Sequence, residues 1–177
     1  MPAPVRLVPV APRHAAEIQR LASDPAIGAT SNVPSPYPED GAAAWIASAV
    51  EARRRGTALA FAVLGAEDRV VGVATLMAVD REAGTAGLGY WIGRPHWRRG
   101  YATAAARACV ERARQLGIRR MTAACLERNA PSRRVLEKAG FHVVGPGPPD
   151  SRGPTLAYAW RSDGPAGSPN SASRAAP

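Results

Sequence analysis

Three strand-like runs joined by two short turns constrain the fold of this chain more than any other feature. Residues 58–64, 70–77 and 85–92 are rich in Val, Ala, Leu and Ile, with polar or Gly-containing breaks at 65–68 and 80–84. Connections this short join neighbouring antiparallel strands, because a parallel pair needs a crossover of roughly a dozen residues. The middle of the chain is therefore predicted to form an antiparallel meander.

The pattern changes after Pro95, where small and apolar residues recur at helical spacing from Ala102 to Leu116 and Gly117 favours a helix end. The segment 32–38 holds three prolines and is predicted to be a loop. The remaining predicted elements are strands at 5–10, 118–126, 141–144 and 155–160, and helices at 12–22, 39–55 and 130–139. We therefore expect an α/β (α+β mixed) fold: a central mixed, mostly antiparallel sheet of six to seven strands with helices on both faces.

The length of 177 residues predicts a single domain, which we place at 1–161. Residues 162–177 are Gly, Pro, Ser and Ala with no large apolar side chain, so we expect a disordered tail.

Composition excludes several classes of protein. No apolar run approaches the ~18–20 residues that a membrane span needs, and two cysteines are too few for a disulfide scaffold. The first residues do not resemble a signal peptide, so we expect a cytoplasmic protein. The net charge of +9 favours an anionic partner or reflects a general bias toward Arg.

The stretch that leads into the central helix carries the chemistry. A strand is followed by a tight loop with Gly100 and by a predicted first helical turn at Tyr101–Thr103. Such a helix start presents unpaired backbone N–H groups and a partial positive charge, which together bind phosphate. Arg98 and Arg99 add full positive charge there. The nucleoside triphosphatase loop G-x-x-x-x-G-K-S/T and the dinucleotide motif G-x-G-x-x-G are absent from this stretch.

Two motifs then point to one family. Around Gly100 and Ala102 the sequence resembles the acyl-CoA-binding motif Gln/Arg-x-x-Gly-x-Gly/Ala of the GNAT N-acetyltransferases, with Trp97 at the first signature position. Residues 129–141 resemble that family's Asn-x-x-Ser-x-x-x-Leu-Glu-Lys-x-Gly-Phe helix, in the RimJ/RimL-like branch. The resemblance covers residues 5–160.

The resemblance implies that an acetyl group passes from acetyl-CoA directly to a primary amine in a ternary complex, with no covalent enzyme intermediate. It implies that amides of the loop hold the pyrophosphate, and that one strand edge pairs with the pantetheine as if it were an added strand. The implied cofactor-binding residues are Trp91, Ile92, Gly93, Arg98, Arg99, Gly100, Tyr101, Ala102, Thr103, Asn129 and Ser132.

Ser132 and Asn129 are also the predicted catalytic residues. The Ser132 hydroxyl could donate a hydrogen bond to the departing thiolate, with Asn129 facing the pantetheine. Both residues also fit simple helix capping, with Asn129 as the N-cap and Ser132 in the first turn. Arg133 and Arg134 either reach the 3′-phosphate of CoA or form a solvated face.

The general base is not identifiable from the sequence. Sequences of this branch often carry Glu two residues before the Gly-Tyr of the strand, where this chain has Gly87, and many relatives carry Tyr where this chain has Leu136. Water-mediated deprotonation of an amine with a lowered pKa is one solution. The other candidates by position are Glu39, Asp40, Glu82 and His96.

The acceptor is predicted to be a protein N-terminal amine or a small-molecule amine, bound by Tyr37, Glu39 and Trp45. Positive net charge disfavours polycationic acceptors unless Glu39, Asp40, Asp80 and Glu82 form an acidic patch. No metal is expected, because His14 and His142 lack partners at ligand spacing. A homodimer is possible.

Two other hypotheses remain. A non-catalytic acyl-CoA sensor would explain why Gly87 and Leu136 stand where relatives have ionisable side chains. A ribosome- or RNA-associated protein rests on the charge alone, and we expect nucleic-acid binding to be absent because aromatic residues are not interleaved with the basic groups.

Overall fold

The computed structural model describes residues 4–162, so nearly all of the predicted tail lies outside the described residues. The strands are β1 (Arg6–Pro9), β2 (Leu59–Leu64), β3 (Val70–Asp80), β4 (Thr85–Ile92), β5 (Arg120–Leu126), β6 (His142–Pro146) and β7 (Thr155–Arg161). The helices are α1 (Ala15–Ala22), α2 (Pro25–Gly28), α3 (Gly41–Arg55), α4 (Tyr101–Gln115) and α5 (Ala130–Lys138).

All seven strands form one sheet in the order β1-β2-β3-β4-β5-β7-β6. Every neighbouring pair is antiparallel except β4 and β5, which run parallel. The predicted meander is present as β2, β3 and β4. The fold class predicted from the sequence is therefore confirmed.

Helices α1 and α3 cover one face of the sheet over β2 and β3. Ile18 and Leu21 of α1 and Ile46 of α3 are at most 2% exposed and pack in one cluster with Ala62 and Val73. These positions follow helical spacing on α1 and face inward on the strands, which is how amphipathic elements bury their apolar sides.

Helices α4 and α5 cover the opposite face. Ala105, Ala106 and Cys109 of α4 are fully buried and pack in one cluster with Leu88 of β4 and Leu136 of α5. Small side chains on α4 let its backbone approach the sheet closely, so the start of the helix lies near the end of β4.

Helix α1 ends at Ala22, as predicted, and the Asp24-Pro25 pair that follows has a further role of its own. Asp24 Oδ1 accepts a hydrogen bond from the Ala26 N–H at 2.9 Å, and Pro25 occupies the first turn of α2. Proline is favoured there because the missing N–H would have had no acceptor in the helix. The pair therefore starts a second short helix.

Candidate active site

Strands β4 and β5 pair over only three positions and then separate. The register joins Thr85 to Arg120, Ala86 to Met121 and Gly87 to Thr122, although β4 continues to Ile92 and β5 to Leu126. Five residues of β4 and four of β5 therefore border a wedge-shaped gap in the sheet. The gap opens just beyond Gly87.

The hydrogen bonds between β4 and β3 determine which backbone groups of β4 face the gap. Gly93 donates its N–H to the Val71 carbonyl at 2.8 Å, and hydrogen-bonded positions alternate along an antiparallel pair. Trp91 and Gly93 therefore direct their backbone groups toward β3, while Tyr90 and Ile92 direct theirs toward the gap. Of the three strand residues expected to contact pantetheine, Ile92 therefore has its backbone groups on the gap side, whereas those of Trp91 and Gly93 face β3.

Glycine at position 93 has a steric reason. A Cβ atom there would lie 2.5 Å from Leu21 Cδ2 of helix α1. The close approach holds the end of β4 against α1, just before the chain turns into the predicted phosphate loop.

The predicted phosphate loop ends at an uncapped helix start. Gly100 has a φ of 82° and no side chain caps α4, whose first hydrogen bond runs from the Ala104 N–H to the Gly100 carbonyl at 3.0 Å. The amides of Tyr101–Thr103 consequently have no acceptor within the helix. Arg98, with a φ of 62°, and Arg99 are exposed beside them. The structure places these predicted residues together as a group of donors and positive charges suited to an anion.

Trp97 ties this loop to β4. Its indole Nε1 donates to the Ile92 carbonyl at 2.5 Å, while the residue remains 41% exposed. The aromatic residue at the first signature position therefore contacts the strand edge that borders the gap.

His96 packs against the first residue of α4. Its ring makes an edge contact with Tyr101, with centroids 6.1 Å apart. Partial burial and the nearby Arg99 lower the pKa of His96 below its usual value, so the ring is neutral near pH 7.

The start of α5 holds both predicted catalytic residues. Asn129 Oδ1 accepts a hydrogen bond from the Ser132 N–H at 3.2 Å, so the amide caps the helix. Ser132 Oγ lies 2.9 Å from the Tyr90 hydroxyl, which also donates to the Ser132 carbonyl at 3.2 Å. Tyr90 was missed from the sequence, although alternation places it on the same face of β4 as Leu88 and Ile92.

The side chains of the two arginines that follow Ser132 point in different directions. Arg133 turns back toward the sheet, donating to the Glu127 carbonyl at 3.4 Å, and its Nε is buried without a partner in the described structure. Arg134 is exposed. Arg134 is thus the better placed of the two for a solvent-facing phosphate.

A cavity of about 990 Å³ lies at the gap and is lined by residues from both faces of the sheet. On the side of α4 and α5 it is lined by Tyr90, Cys125 and Ser132. On the side of α1 and α3 it is lined by the proline-rich loop and by Tyr37, Trp45 and Trp91. The floor on that side includes Met77 and several small or short side chains, which are Gly87, Gly89, Thr122, Ala124, Ala157 and Ala159.

The cavity is lined by two of the three residues predicted to bind the acceptor. Tyr37 and Trp45 line it, whereas Glu39 does not. Within residues 4–162, Asp40 is the only base candidate along the wall, because Glu82 and His96 lie elsewhere. The Asp40 carboxylate makes no capping bond to α3 and is exposed.

On the side of the cavity formed by α1 and α3, one arginine connects two of the lining loops. Arg152 forms a two-pronged pair with Asp150, through Nε at 2.8 Å and a terminal nitrogen at 2.5 Å. It also donates to the Gly28 carbonyl at 3.0 Å, to the Ser31 carbonyl, and to Asn32 Oδ1 at 2.9 Å. The loop between β6 and β7 is thereby fastened to the loop after α2.

The family model described as "Acetyltransferase (GNAT) domain" matches residues 5–142. The chain belongs to the GNAT acetyltransferase family. The family expected from the two motifs is thus confirmed, and both motif segments lie within or directly beside the matched range.

Two curated relatives match parts of the chain. "Probable N-acetyltransferase YjcK" of Bacillus subtilis is 41% identical over 81 residues, which is 45% of each protein. "Uncharacterized N-acetyltransferase p20" of Bacillus licheniformis is 32% identical over 92 residues, 51% of this chain and 52% of the relative. The chain spans about half the length of the curated relatives it matches.

Solved structures of acetyltransferases share the whole fold. RimL, a ribosomal-protein alpha-N acetyltransferase in complex with coenzyme A, has a TM-score of 0.81 at 18% identity, covering 90% of this chain and 94% of its own. Mycobacterium smegmatis RimJ has a TM-score of 0.79 at 24% identity, covering 90% and 82%. Spermidine N-acetyltransferase from Vibrio cholerae, in complex with CoA and spermine, has a TM-score of 0.77 at 13% identity, covering 90% and 96%.

Two further properties concern residues 4–162 alone. No helix there is long and apolar enough to cross a membrane. No group of three or more His, Cys, Asp or Glu side chains in that range could hold a metal ion. His14, one of the two histidines considered from the sequence, is buried and accepts a hydrogen bond from the Ala11 N–H at 3.1 Å.

Proposed function

We propose that this protein transfers an acetyl group from acetyl-CoA directly to a primary amine through a ternary complex. The observation that carries the proposal is the cavity at the β4–β5 gap, with Ser132 on one side and Tyr37 and Trp45 on the other. Two substrates that enter from opposite faces of a sheet meet in the gap without a covalent intermediate. Family membership and the CoA complexes of the fold neighbours support the same reaction.

The residues present fit the cofactor. The amides of Tyr101–Thr103 and the side chains of Arg98 and Arg99 suit the pyrophosphate. Beyond Gly87 no strand within residues 4–162 pairs with the gap-facing edge of β4. The backbone groups of Tyr90 and the N–H of Ile92 there suit the amides of pantetheine, which would add to the sheet as a short strand, while the Ile92 carbonyl already accepts from Trp97. When bound, acetyl-CoA supplies an activated acyl group with a thiolate as its leaving group.

The chain's own groups then divide the chemistry. Ser132 donates a hydrogen bond to the sulfur that leaves, and Asn129 holds Ser132 through its backbone N–H. Asp40 is the carboxylate available to take a proton from the amine on the acceptor side, directly or through water. Acceptors with weakly basic amines need the least help from it.

The acceptor wall favours an uncharged amine over a polycation. Of the four acidic residues that could have formed an acidic patch, Asp40 lines the cavity and the other three do not. Asp150 lies in the wall, but Arg152 neutralises it. Aromatic rings at Tyr37, Trp45 and Trp91 offer flat apolar contacts. A peptide N-terminus or an apolar small amine fits this surface better than spermidine.

The test begins with calorimetric titration of the purified protein with acetyl-CoA and with free CoA. Saturable binding is expected, and a protein that binds neither ligand would contradict the proposal. Release of thiol is then followed with a panel of N-terminal peptides, apolar amines and spermidine. Turnover above hydrolysis with any amine excludes the sensor, whereas binding without turnover across the panel favours it.

A further inference from the structure

The Tyr90 hydroxyl contacts Ser132 at two atoms, and only one of them can accept its proton at a time. Tyr90 Oη lies 3.2 Å from the Ser132 carbonyl and 2.9 Å from Ser132 Oγ. A phenol carries one proton and a carbonyl only accepts. If Tyr90 donates to the carbonyl, Ser132 must donate its own proton to Tyr90. If Tyr90 donates to Oγ, the Ser132 proton is free for another acceptor.

The surroundings hold this pair in place. Tyr90 comes from β4 and Ser132 from the first turn of α5, so the contact spans the side of the gap beneath α5. Asn129 holds the Ser132 backbone from the other direction. Both side chains line the cavity, where an acyl-CoA sulfur would lie.

Other polar groups also surround Ser132. Cys125 of β5 interacts with the Ser132 hydroxyl and with Tyr158 of β7, and Arg133 and Glu137 of α5 lie near its thiol. Burial raises the pKa of the Cys125 thiol, which keeps this sulfur protonated near neutral pH. A thiol sulfur is a weak acceptor, so the 2.9 Å contact with the Tyr90 hydroxyl is the stronger influence on the serine proton.

We infer that Tyr90 is a positioning residue for acetyl transfer: its hydroxyl turns from the Ser132 carbonyl to Ser132 Oγ, and the Ser132 proton is then free to hydrogen-bond the departing sulfur. The inference rests on the proposed function. The amine nitrogen attacks the thioester carbon and gives up one proton to Asp40 or to water, while the C–S bond breaks and its electron pair stays on sulfur as a thiolate. No proton leaves Tyr90. Burial raises the pKa of Tyr90 far above its usual value, so the hydroxyl remains a donor at every working pH.

The pKa of the CoA thiol bound to the protein tests this inference without any acceptor. Free CoA is the product of the proposed reaction, and its thiolate is followed by ultraviolet absorbance after subtracting the CoA-free protein at each pH. A hydrogen bond to the thiolate lowers the thiol pKa. Replacing Tyr90 by Phe removes only the hydroxyl, so we expect the bound thiol pKa to rise by about 0.5 to 1 unit.

A double-mutant cycle separates positioning from independent effects. Ser132→Ala should raise the bound thiol pKa by at least as much as Tyr90→Phe. The combined variant should match Ser132→Ala alone, because Tyr90 acts only through Ser132. Additive shifts, or no shift in Tyr90→Phe where Ser132→Ala has one, would overturn the inference.

Phe141→Leu is the packing control. Phe141 is buried in the same core cluster as Leu136, carries no polar group, and does not line the cavity. This variant should leave the bound thiol pKa unchanged. A shift equal to that of Tyr90→Phe would mean that general loosening of the core is responsible, and would overturn the positioning role.

Failure of the inference is distinct from failure of the proposed function. A wild-type protein that does not bind CoA contradicts the function. If the wild-type protein binds CoA and the bound thiol has the same pKa in Tyr90→Phe as in wild type, only the inference is contradicted. Once an acceptor is known, Tyr90→Phe should lower kcat about fivefold to tenfold with little change in KM, because the hydrogen bond matters when the thiolate forms.

Discussion

Gly100 combines a backbone requirement with a functional one. Its φ of 82° is in the left-handed region, where a side chain is strained, and it adjoins the free amides of α4. The same residue therefore shapes the turn and leaves the backbone accessible, as the proposed phosphate site requires. A side chain here would be unfavourable for both reasons.

Gly100→Glu should weaken acetyl-CoA binding by at least about 100-fold, because it places bulk and negative charge against the pyrophosphate. Calorimetry measures the change. Gly117→Glu is the control, since Gly117 has a φ of 79° at the other end of α4 and open space around its Cβ position. Gly117→Glu should lose stability and keep its affinity. Wild-type affinity in Gly100→Glu would show that the loop is not the phosphate site.

At Gly87, in contrast to Gly100, an added side chain is expected to increase activity. It lines the cavity floor, and a Cβ atom there would meet the Met77 carbonyl at 3.6 Å, an ordinary contact. Gly87→Glu should supply a general base and raise kcat/KM on the low-pH side, where the amine is mostly protonated.

The pH profile of kcat/KM with the best acceptor from the panel checks this expectation. Gly87→Gln, which has the same size and no carboxylate, should leave the low-pH limb unchanged. If Gln and Glu act alike, the effect is one of packing, and a base is not what the wild-type site lacks.

At the scale of elements, the separation of β4 from β5 creates the site. Each strand is regular, and the three paired positions at its start hold the two together. Beyond them β5 pairs only with β7 on its other edge, and α5 begins beside the gap. A ligand edge thus exists because two neighbouring strands stop pairing while both continue.

The loop between β6 and β7 and the loop after α2 together border the acceptor side of the cavity, and Arg152 holds them together. Arg152→Ala should release the β6–β7 loop from the loop after α2 and raise the acceptor KM about tenfold. Acetyl-CoA affinity should be unchanged, because the phosphate loop is not involved. Steady-state kinetics and calorimetry measure the two quantities.

Two variants sharpen this prediction. Arg152→Lys should restore little, because an ammonium group lacks the planar fork that binds Asp150 and several carbonyl groups together. Arg161→Ala on the exposed end of β7 should behave as wild type. A change in acetyl-CoA affinity equal to the change in KM would show that Arg152 supports the whole fold and not the acceptor wall.

At the scale of the whole molecule, charge and shape act on different substrates. In the proposed function, the net charge of +9 and the exposed Arg98 and Arg99 would attract a polyanionic cofactor. The acceptor wall carries little net charge, since Arg152 pairs with Asp150. Electrostatic attraction should therefore affect cofactor binding more than acceptor binding.

Raising ionic strength from about 0.05 M to about 0.3 M should weaken acetyl-CoA binding several-fold, because the Debye length shortens. S-acetyl-pantetheine, which carries no phosphate, should show no such dependence. Titration at both salt concentrations checks the pair. Equal salt dependence for the two ligands would place the anion contacts outside the phosphate loop.

The sequence predicted the meander, the central helix and the phosphate loop because each depends on local signals. Alternating apolar residues, short turns and the glycine before Tyr101 act over a few neighbours in the chain. The same locality explains why α2 was not predicted. A proline indicates either a helix end or a helix start, and only the capping bond to Asp24 distinguishes the two.

Contacts in the site between residues far apart in the chain could not be predicted from the sequence. Tyr90 and Ser132 lie 42 positions apart, and Arg152 lies about 120 positions from the loop that it fastens. The set of backbone groups facing the gap depends on one hydrogen bond between Gly93 and Val71. None of these contacts has a periodic or compositional signal.

The sequence by itself determined the elements, the sheet class, the family and the loop suited to a phosphate, because these follow from local propensity and contiguous motifs. Only the tertiary structure decided where β4 and β5 part, which edge faces the gap, and which acidic residue reaches the acceptor wall. Those features arise from pairing and packing between segments far apart in the chain, and small differences in register decide which atoms meet.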